Sequence, residues 1–425
     1  MTETAYTHTL PSGMRLIYVP ATSDVTYCGI AIDAGTRDEL DHEQGMAHFC
    51  EHLMFKGTER RKAWHIINRM EAVGGDLNAY TNKEETVVYS ALMKEHLPRA
   101  TELLFDVVFR STYPQPEIEK ECEVIVDEIE SYNDSPSELI YDRFEDLIYE
   151  GQDLGHDILG RAEDVRRFTT ADARAFTARL YKPERMVFFV MGDYPFEYVK
   201  KTVEKQSCRR EGPGELGFRL STAIPTPAPA NRASGLDCRE APGERTVTEH
   251  MGTHQAHVMI GRAAYGAKDD RRIALYFLNN LIGGPGMNSR LNVALREQRG
   301  LVYNVESTLT NYTDTSTWAI YFGCDTADVD RCRRLVRREL DRLIAAPLST
   351  ARFSAAMKQI RGQIGVACDN SENYILDTAK AFLHYNKFEG MADTFRQLDK
   401  LTPDILQQVA ADVFDPAHLT TLIFK

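Results

Sequence analysis

The stretch VTYCGIAIDAG, residues 25–35, reads as a half-buried strand, and QAHVMIGRAAYG, residues 255–266, repeats that reading in the second half of the chain. Both are rich in small and β-branched apolar residues, and both end on a Gly suited to a turn. A charged turn follows each run, and then an apolar-periodic helix: residues 44–56 after the first, ALYFLNNLIGG (274–284) after the second. Strand, charged turn and long helix twice at matching positions indicate a distant internal duplication.

Outward from these two anchors, residues 62–73 and 95–110 have helical spacing, and TVVYSAL (86–92) and RMVFFVMGD (185–193) have the apolar content of core strands. Pro116 opens a further helix, PEIEKECEVIVDEIESYND, where a proline in the first turn costs no hydrogen bond and Glu117 and Glu119 complement the helix dipole. Strands mixed irregularly with long helices predict an α+β fold with antiparallel sheets. The Pro- and Gly-rich segment 211–244 reads as a linker between a first domain, 1–210, and a second, 245–425.

The 425 residues suffice for two or three domains, and 43% hydrophobic with 27% charged residues excludes a wholly disordered or coiled-coil chain. A net charge of −13 argues against a nucleic-acid or anionic-membrane partner. Eight dispersed cysteines without a C-x-x-C pair suit reduced thiols. With neither a signal-peptide pattern at the N-terminus nor an apolar run of about 18 residues, a cytoplasmic protein is expected.

MAHFCEHLMFKG (46–57) carries the chemistry. His48, Glu51 and His52 stand at i, i+3 and i+4, so one helical turn places them on one face. Two imidazoles so spaced can both reach one Zn²⁺, with the carboxylate between them directed at a water. A catalytic zinc takes a third protein ligand and keeps a position open. The helix from Pro116 offers Glu121 and Glu128, seven residues apart and close to one face, with Glu123, Asp127 and Glu130 as competitors.

At these residues the sequence resembles the inverted-zinc-motif metallopeptidases of the pitrilysin, or M16, family, which includes insulin-degrading enzyme and mitochondrial processing peptidase. The resemblance is to its half-length, bacterial-type (M16B-like) members and covers nearly the whole chain. The family's H-x-x-E-H is followed about 76 positions after the second His by a ligand Glu, which is Glu128 here. GGDLNAYTNKEETVVYSAL (74–92) and HDILG (156–160) are similar to other parts of the first family domain. SRLNVALREQRGLVYNV (289–305) is similar to its second signature, with Arg296 and Tyr303 at the R-(x)6-Y spacing.

The resemblance implies two homologous domains of the LuxS/MPP-like metallohydrolase type, each a largely antiparallel sheet with helices packed on it, and the zinc site only in the first. It implies a zinc endopeptidase with one Zn²⁺ per chain on His48, His52 and Glu128, Glu51 as general base, and Glu121 supporting a histidine ligand. Asn78, Ala79 and Tyr80 resemble an edge strand onto which an extended peptide substrate adds. Arg296 and Tyr303 would direct donors at the substrate carbonyl. The length matches one half of a two-half chamber, which implies a homodimer, or a heterodimer with a related subunit. The competing reading is a non-catalytic or processing-peptidase-like subunit.

Three other features carry no chemistry. His250, His254 and His257 straddle Gly252 and a strand, where they share no helical face. Cys50 points about 100° per residue away from the ligand face and reads as a packing thiol. GGPGMNSR (283–290) lacks the Lys-Ser/Thr of a phosphate loop and reads as a flexible loop facing the substrate chamber.

Overall fold

The computed structural model describes residues 4–207 and 244–425, so the expected linker lies, apart from Glu244, outside the described residues. Two compact units emerge, and neither is one continuous stretch of chain. The first gathers the described residues of Met1–Ile129, His156–Asn231 and Val366–Ala392; the second gathers those of Glu130–Gly155, Arg232–Gly365 and Asp393–Lys425.

The first unit is built on a six-stranded sheet of β1 (Tyr6–Thr9), β2 (Arg15–Pro20), β3 (Val25–Ile32), β4 (Asn78–Thr81), β5 (Thr86–Met93) and β6 (Met186–Gly192), in the order β1-β2-β6-β3-β5-β4. The second holds β7 (Arg245–Glu249), β8 (Gln255–Tyr265), β9 (Val302–Asn311), β10 (Thr315–Asp325) and β11 (Thr420–Phe424), in the order β7-β11-β8-β10-β9. β2 with β6 and β7 with β11 are parallel; the other pairs are antiparallel. From β2 and β7 onward the two sheets have the same order and the same strand senses, so the duplication heard in the sequence is present in the pairing.

Period-two alternation gives the inner strands of the first sheet two apolar faces. Leu16, Tyr18, Ile30, Phe188 and Val190 face the core that contains the Met46–Met54 and Leu97–Phe109 helices. Ile17, Val19, Ala31, Val187 and Phe189 face the other way, onto Ile375, Ala379, Phe382 and Leu383 of the Ser371–Tyr385 helix. A sheet buried on both faces tolerates the continuous apolar run VFFVM of β6. Arg15, itself buried, donates to the carbonyl oxygens of Phe382 at 2.8 Å and Leu383 at 2.9 Å, satisfying the C-terminal end of that helix.

The second unit has the reciprocal arrangement. Leu139, Ile140, Phe144 and Ile148 of the Pro136–Ile148 helix pack on Met259, Ala263, Ala319, Leu422 and Phe424. Each sheet is therefore covered on one face by a helix from the other half of the sequence. Among the described residues no helix is long and apolar enough to cross a membrane.

Candidate metal centre

The Met46–Met54 helix buries nearly its whole circumference: Met46, Ala47, His48, Phe49, Cys50, Leu53 and Met54 are all inside. A helix apolar on all sides belongs in a core, and here it carries its polar residues along one face. The Gln115–Asn133 helix buries Ile118, Glu121, Cys122, Ile125 and Val126, an i, i+3, i+4, i+7, i+8 stripe. Glu121 falls within that stripe, and Glu128 lies two turns further on with its carboxylate half exposed.

These two helices bring His48, His52 and Glu128 together, with one donor atom from each lying within 4.8 Å of the others. His48 Nε2 is 3.9 Å from Glu128 Oε1, and His52 Nε2 is 3.7 Å from Glu128 Oε2. Both separations are too long for hydrogen bonds. They approach the roughly 3.3 Å between two ligands of a tetrahedral ion held at about 2.0–2.1 Å. Burial, aided by the neighbouring His52, holds the His48 pKa down at about 3, so the ring is neutral and its lone pair available. Two imidazoles and a carboxylate form a donor set that fits Zn²⁺.

Burial resists charging of His52, but its bond to Glu121 and the carboxylates of Glu51 and Glu128 outweigh that and raise its pKa. Glu121 Oε2 meets His52 Nδ1 at 3.2 Å and Oε1 meets Lys56 Nζ at 2.6 Å. Burial alone would raise Glu121, yet these two partners hold it below its ordinary value. A carboxylate on Nδ1 fixes the tautomer that leaves the Nε2 lone pair toward Glu128. Glu51 does not join the histidine–Glu128 set; its Oε2 accepts from the hydroxyl of Thr81 at 2.7 Å. Burial raises its pKa, with Glu128 adding to the effect and Thr81 and His52 opposing it. A buried carboxylate with a raised pKa is suited to taking and returning a proton.

Thr81 and Lys56 were not among the residues singled out from sequence. Lys56 lies just past the end of the Met46–Met54 helix, four residues after His52, so its spacing in the sequence could have marked it. Thr81 follows Asn78, Ala79 and Tyr80, which form β4 with it at the edge of the first sheet, paired only with β5 among the described residues. Alternation along that strand turns Thr81 inward while Asn78 is exposed.

Arg296 and Tyr303 belong to the second unit. Arg296 lies in the π-helical turn Asn292–Glu297 and Tyr303 near the start of β9; the guanidinium stands 5.7 Å from the Tyr303 ring centroid, and Tyr303 is 84% exposed. Such a surface pair has the donors to meet an incoming group. Cys50 is fully buried with Sγ 3.9 Å from the Ala173 carbonyl oxygen, a packing thiol as expected. His257 bonds to the Tyr321 hydroxyl at 2.9 Å and forms no metal-binding group with His250 or His254.

Comparison with known proteins adds to this geometry. The family model for Insulinase (Peptidase family M16) matches residues 16–162, and that for the Peptidase M16 inactive domain matches residues 167–360. All four residues His48, Glu51, His52 and Glu128 fall in the first match. A Streptomyces coelicolor protein named an uncharacterized zinc protease is 31% identical over 414 residues, spanning 95% of this chain and 86% of its own. The Bacillus subtilis uncharacterized zinc protease YmxG is 28% identical across 98% of this chain and 97% of its own. Mitochondrial-processing peptidase subunit beta of Saccharomyces cerevisiae is 30% identical across 94% and 86%. Among solved structures, a protease from Helicobacter pylori superposes with a TM-score of 0.87 at 23% identity over 99% of both chains, a likeness of fold.

Proposed function

The chain belongs to peptidase family M16, and on that premise we propose that it is a zinc-dependent endopeptidase hydrolysing short or unfolded polypeptides in an enclosed chamber. The observation that carries this is the convergence of His48, His52 and Glu128 beside a buried, Thr81-bonded Glu51. His48, His52 and Glu128 would hold one Zn²⁺ per chain, which when bound supplies Lewis-acid polarisation and a more acidic water.

Glu51 takes a proton as a water oxygen attacks the scissile carbonyl carbon. It returns that proton to the amine nitrogen as the carbon–nitrogen bond breaks. Thr81 holds one Glu51 oxygen, leaving the other for the water. Glu121 orients His52 and is held in turn by Lys56. The edge strand of Asn78, Ala79 and Tyr80 receives the substrate backbone by strand addition, which imposes little side-chain preference. Arg296 and Tyr303 donate hydrogen bonds to the substrate carbonyl or the developing oxyanion.

Assembly as a homodimer, with Arg296 and Tyr303 of one copy serving the zinc site of the other, is part of the proposal. The subunit designation of the yeast relative supports a second reading, a processing-peptidase-like chain acting with a related partner. Mixing Glu51→Gln and Arg296→Ala chains separates these possibilities, since activity regained from two inactive variants requires catalysis between copies. A reducing, cytoplasmic setting, expected from the dispersed cysteines of the sequence, is part of the same proposal.

The experiment that tests the activity is Glu51→Gln. The variant is expected to bind zinc as the wild type does and to lose chelator-sensitive cleavage of an unfolded peptide; full activity would rule out Glu51 as the base.

A further inference from the structure

Three consecutive charged residues, Lys83, Glu84 and Glu85, are buried in the turn that joins β4 to β5, and each has its own partner. Glu84 pairs with Arg37 at 2.7 Å, and Glu85 pairs with Lys380 at 2.7 Å and His384 at 3.1 Å. The Lys83 ammonium donates to the main-chain carbonyl oxygen of His156. The ring of the same His156 bonds through Nε2 to Glu39 Oε2 at 3.1 Å. Glu39, with a wholly buried side chain, also accepts from the main-chain N–H of Gly45 at 2.9 Å and of Ala47 at 2.8 Å. Those two amides belong to the entry of the Met46–Met54 helix, where unpaired N–H groups favour an anion.

The contact between the 156–160 loop and that helix entry is tight. Gly45 has φ +92° and a Cβ there would stand 2.6 Å from the Leu159 carbonyl oxygen; Gly160 has φ +72° and a Cβ there would stand 2.3 Å from that of Gln44. No side chain fits at either position without moving the backbone. His156 thus ties the helix bearing His48, Glu51 and His52 to the turn that follows Thr81, the residue bonded to Glu51.

We propose that His156 and Glu39 are positioning residues that set the Met46–Met54 helix in register with the edge strand β4. The inference rests on the peptidase function proposed above. A helix free to slide or rotate by about 1 Å would misplace Glu51 and both imidazoles together, and displacements of that size can cost on the order of 100-fold in rate. The ordinary alternative is a buried hydrogen-bonded pair that only holds the fold. That role would lower stability and leave the turnover of folded molecules unchanged.

The test uses the full chain with His156→Gln, His156→Leu and Glu39→Gln. Folded fraction, kcat and KM on an unfolded peptide, and affinity for Zn²⁺ alone in titration of the metal-stripped protein are measured at one temperature. Gln keeps an N–H donor near the place of Nε2, so His156→Gln is expected within about threefold of wild type. His156→Leu is expected to lose about 10-fold or more in kcat with KM within about threefold, and about 10-fold in zinc affinity. Wild-type kcat and zinc affinity in folded His156→Leu, or equal damage in His156→Gln and His156→Leu, overturns the proposal. If His156→Leu does not fold, the near-isosteric Glu39→Gln decides: reduced kcat and zinc affinity in its folded fraction support positioning, and wild-type values overturn it. A wild-type chain that binds zinc and cuts no peptide would refute the peptidase reading, while the zinc affinities would still decide the positioning role.

Discussion

The Thr81 hydroxyl donates to Glu51 Oε2 at 2.7 Å, so the last residue of the edge strand grips the carboxylate lying between the two histidines in sequence. One bond thereby couples the strand expected to receive substrate to the group expected to move the proton. Thr81→Val removes the donor while keeping shape, leaving a buried carboxylate oxygen without its partner. About a 10-fold fall in kcat at unchanged zinc content is expected, with Thr81→Ser close to wild type. Steady-state kinetics beside metal analysis checks both.

Glu121 bridges His52 and Lys56, and replacing it with Gln removes the charge that both partners face. Carboxylates in this position typically contribute about 10- to 100-fold to metal affinity. Glu121→Gln should therefore bind Zn²⁺ more weakly by that factor in competition with a chromophoric chelator, with its far-UV spectrum unchanged.

Glu85 predicts a pH dependence of stability. Burial would raise its pKa, but the hydrogen bond from His384 and the charge of Lys380 outweigh burial and hold it at about 2. A carboxyl group depressed on folding stabilises the protein fully above its unfolded value of about 4.5, and that stabilisation is lost as pH falls toward 2. Glu85→Gln should destabilise the chain by about 3–5 kcal/mol at neutral pH, because the enclosed His384 and the partly exposed Lys380 lose the buried charge they pair with. The difference from wild type should shrink between about pH 4.5 and pH 2 in denaturant titrations at a series of pH values; a constant difference would contradict the assignment.

Phe144 is fully buried against the second sheet, on the helix contributed by the first half of the sequence. Phe144→Ala should cost about 3–5 kcal/mol through lost burial and the cavity left behind. Chemical denaturation would show it as a lower midpoint. An effect below about 1 kcal/mol would mean that this helix is not seated as described.

Much of the site was legible because it depends on local spacing. His48, Glu51 and His52 share a face through helical geometry alone, and the strands 86–92 and 185–193 appear as Thr86–Met93 and Met186–Gly192. Glu128 could be selected over Glu121 only by its resemblance to a known pattern, since both lie on nearly the same face. Burial then separates them: Glu121 is enclosed and bonded to His52 and Lys56, while Glu128 reaches the two Nε2 atoms. Thr81, Glu39 and His156 stood out less because a hydroxyl or carboxylate has no distinctive spacing when its partner is tens of residues away.

By itself the sequence determined the helical periodicities, the repeated strand-turn-helix and the residue types His48, Glu51 and His52 along one helical face, all of which follow from side-chain order within one element. Only the tertiary structure decided which helix covers which sheet. The Ser371–Tyr385 helix completes the first unit and the Pro136–Ile148 helix the second. Apolar burial is non-directional, so an amphipathic stripe records that a helix must be covered but not by what. The choice of partner falls to side-chain fit and to a few directional contacts, such as Arg15 on the Phe382 and Leu383 carbonyls and Glu85 on Lys380 and His384.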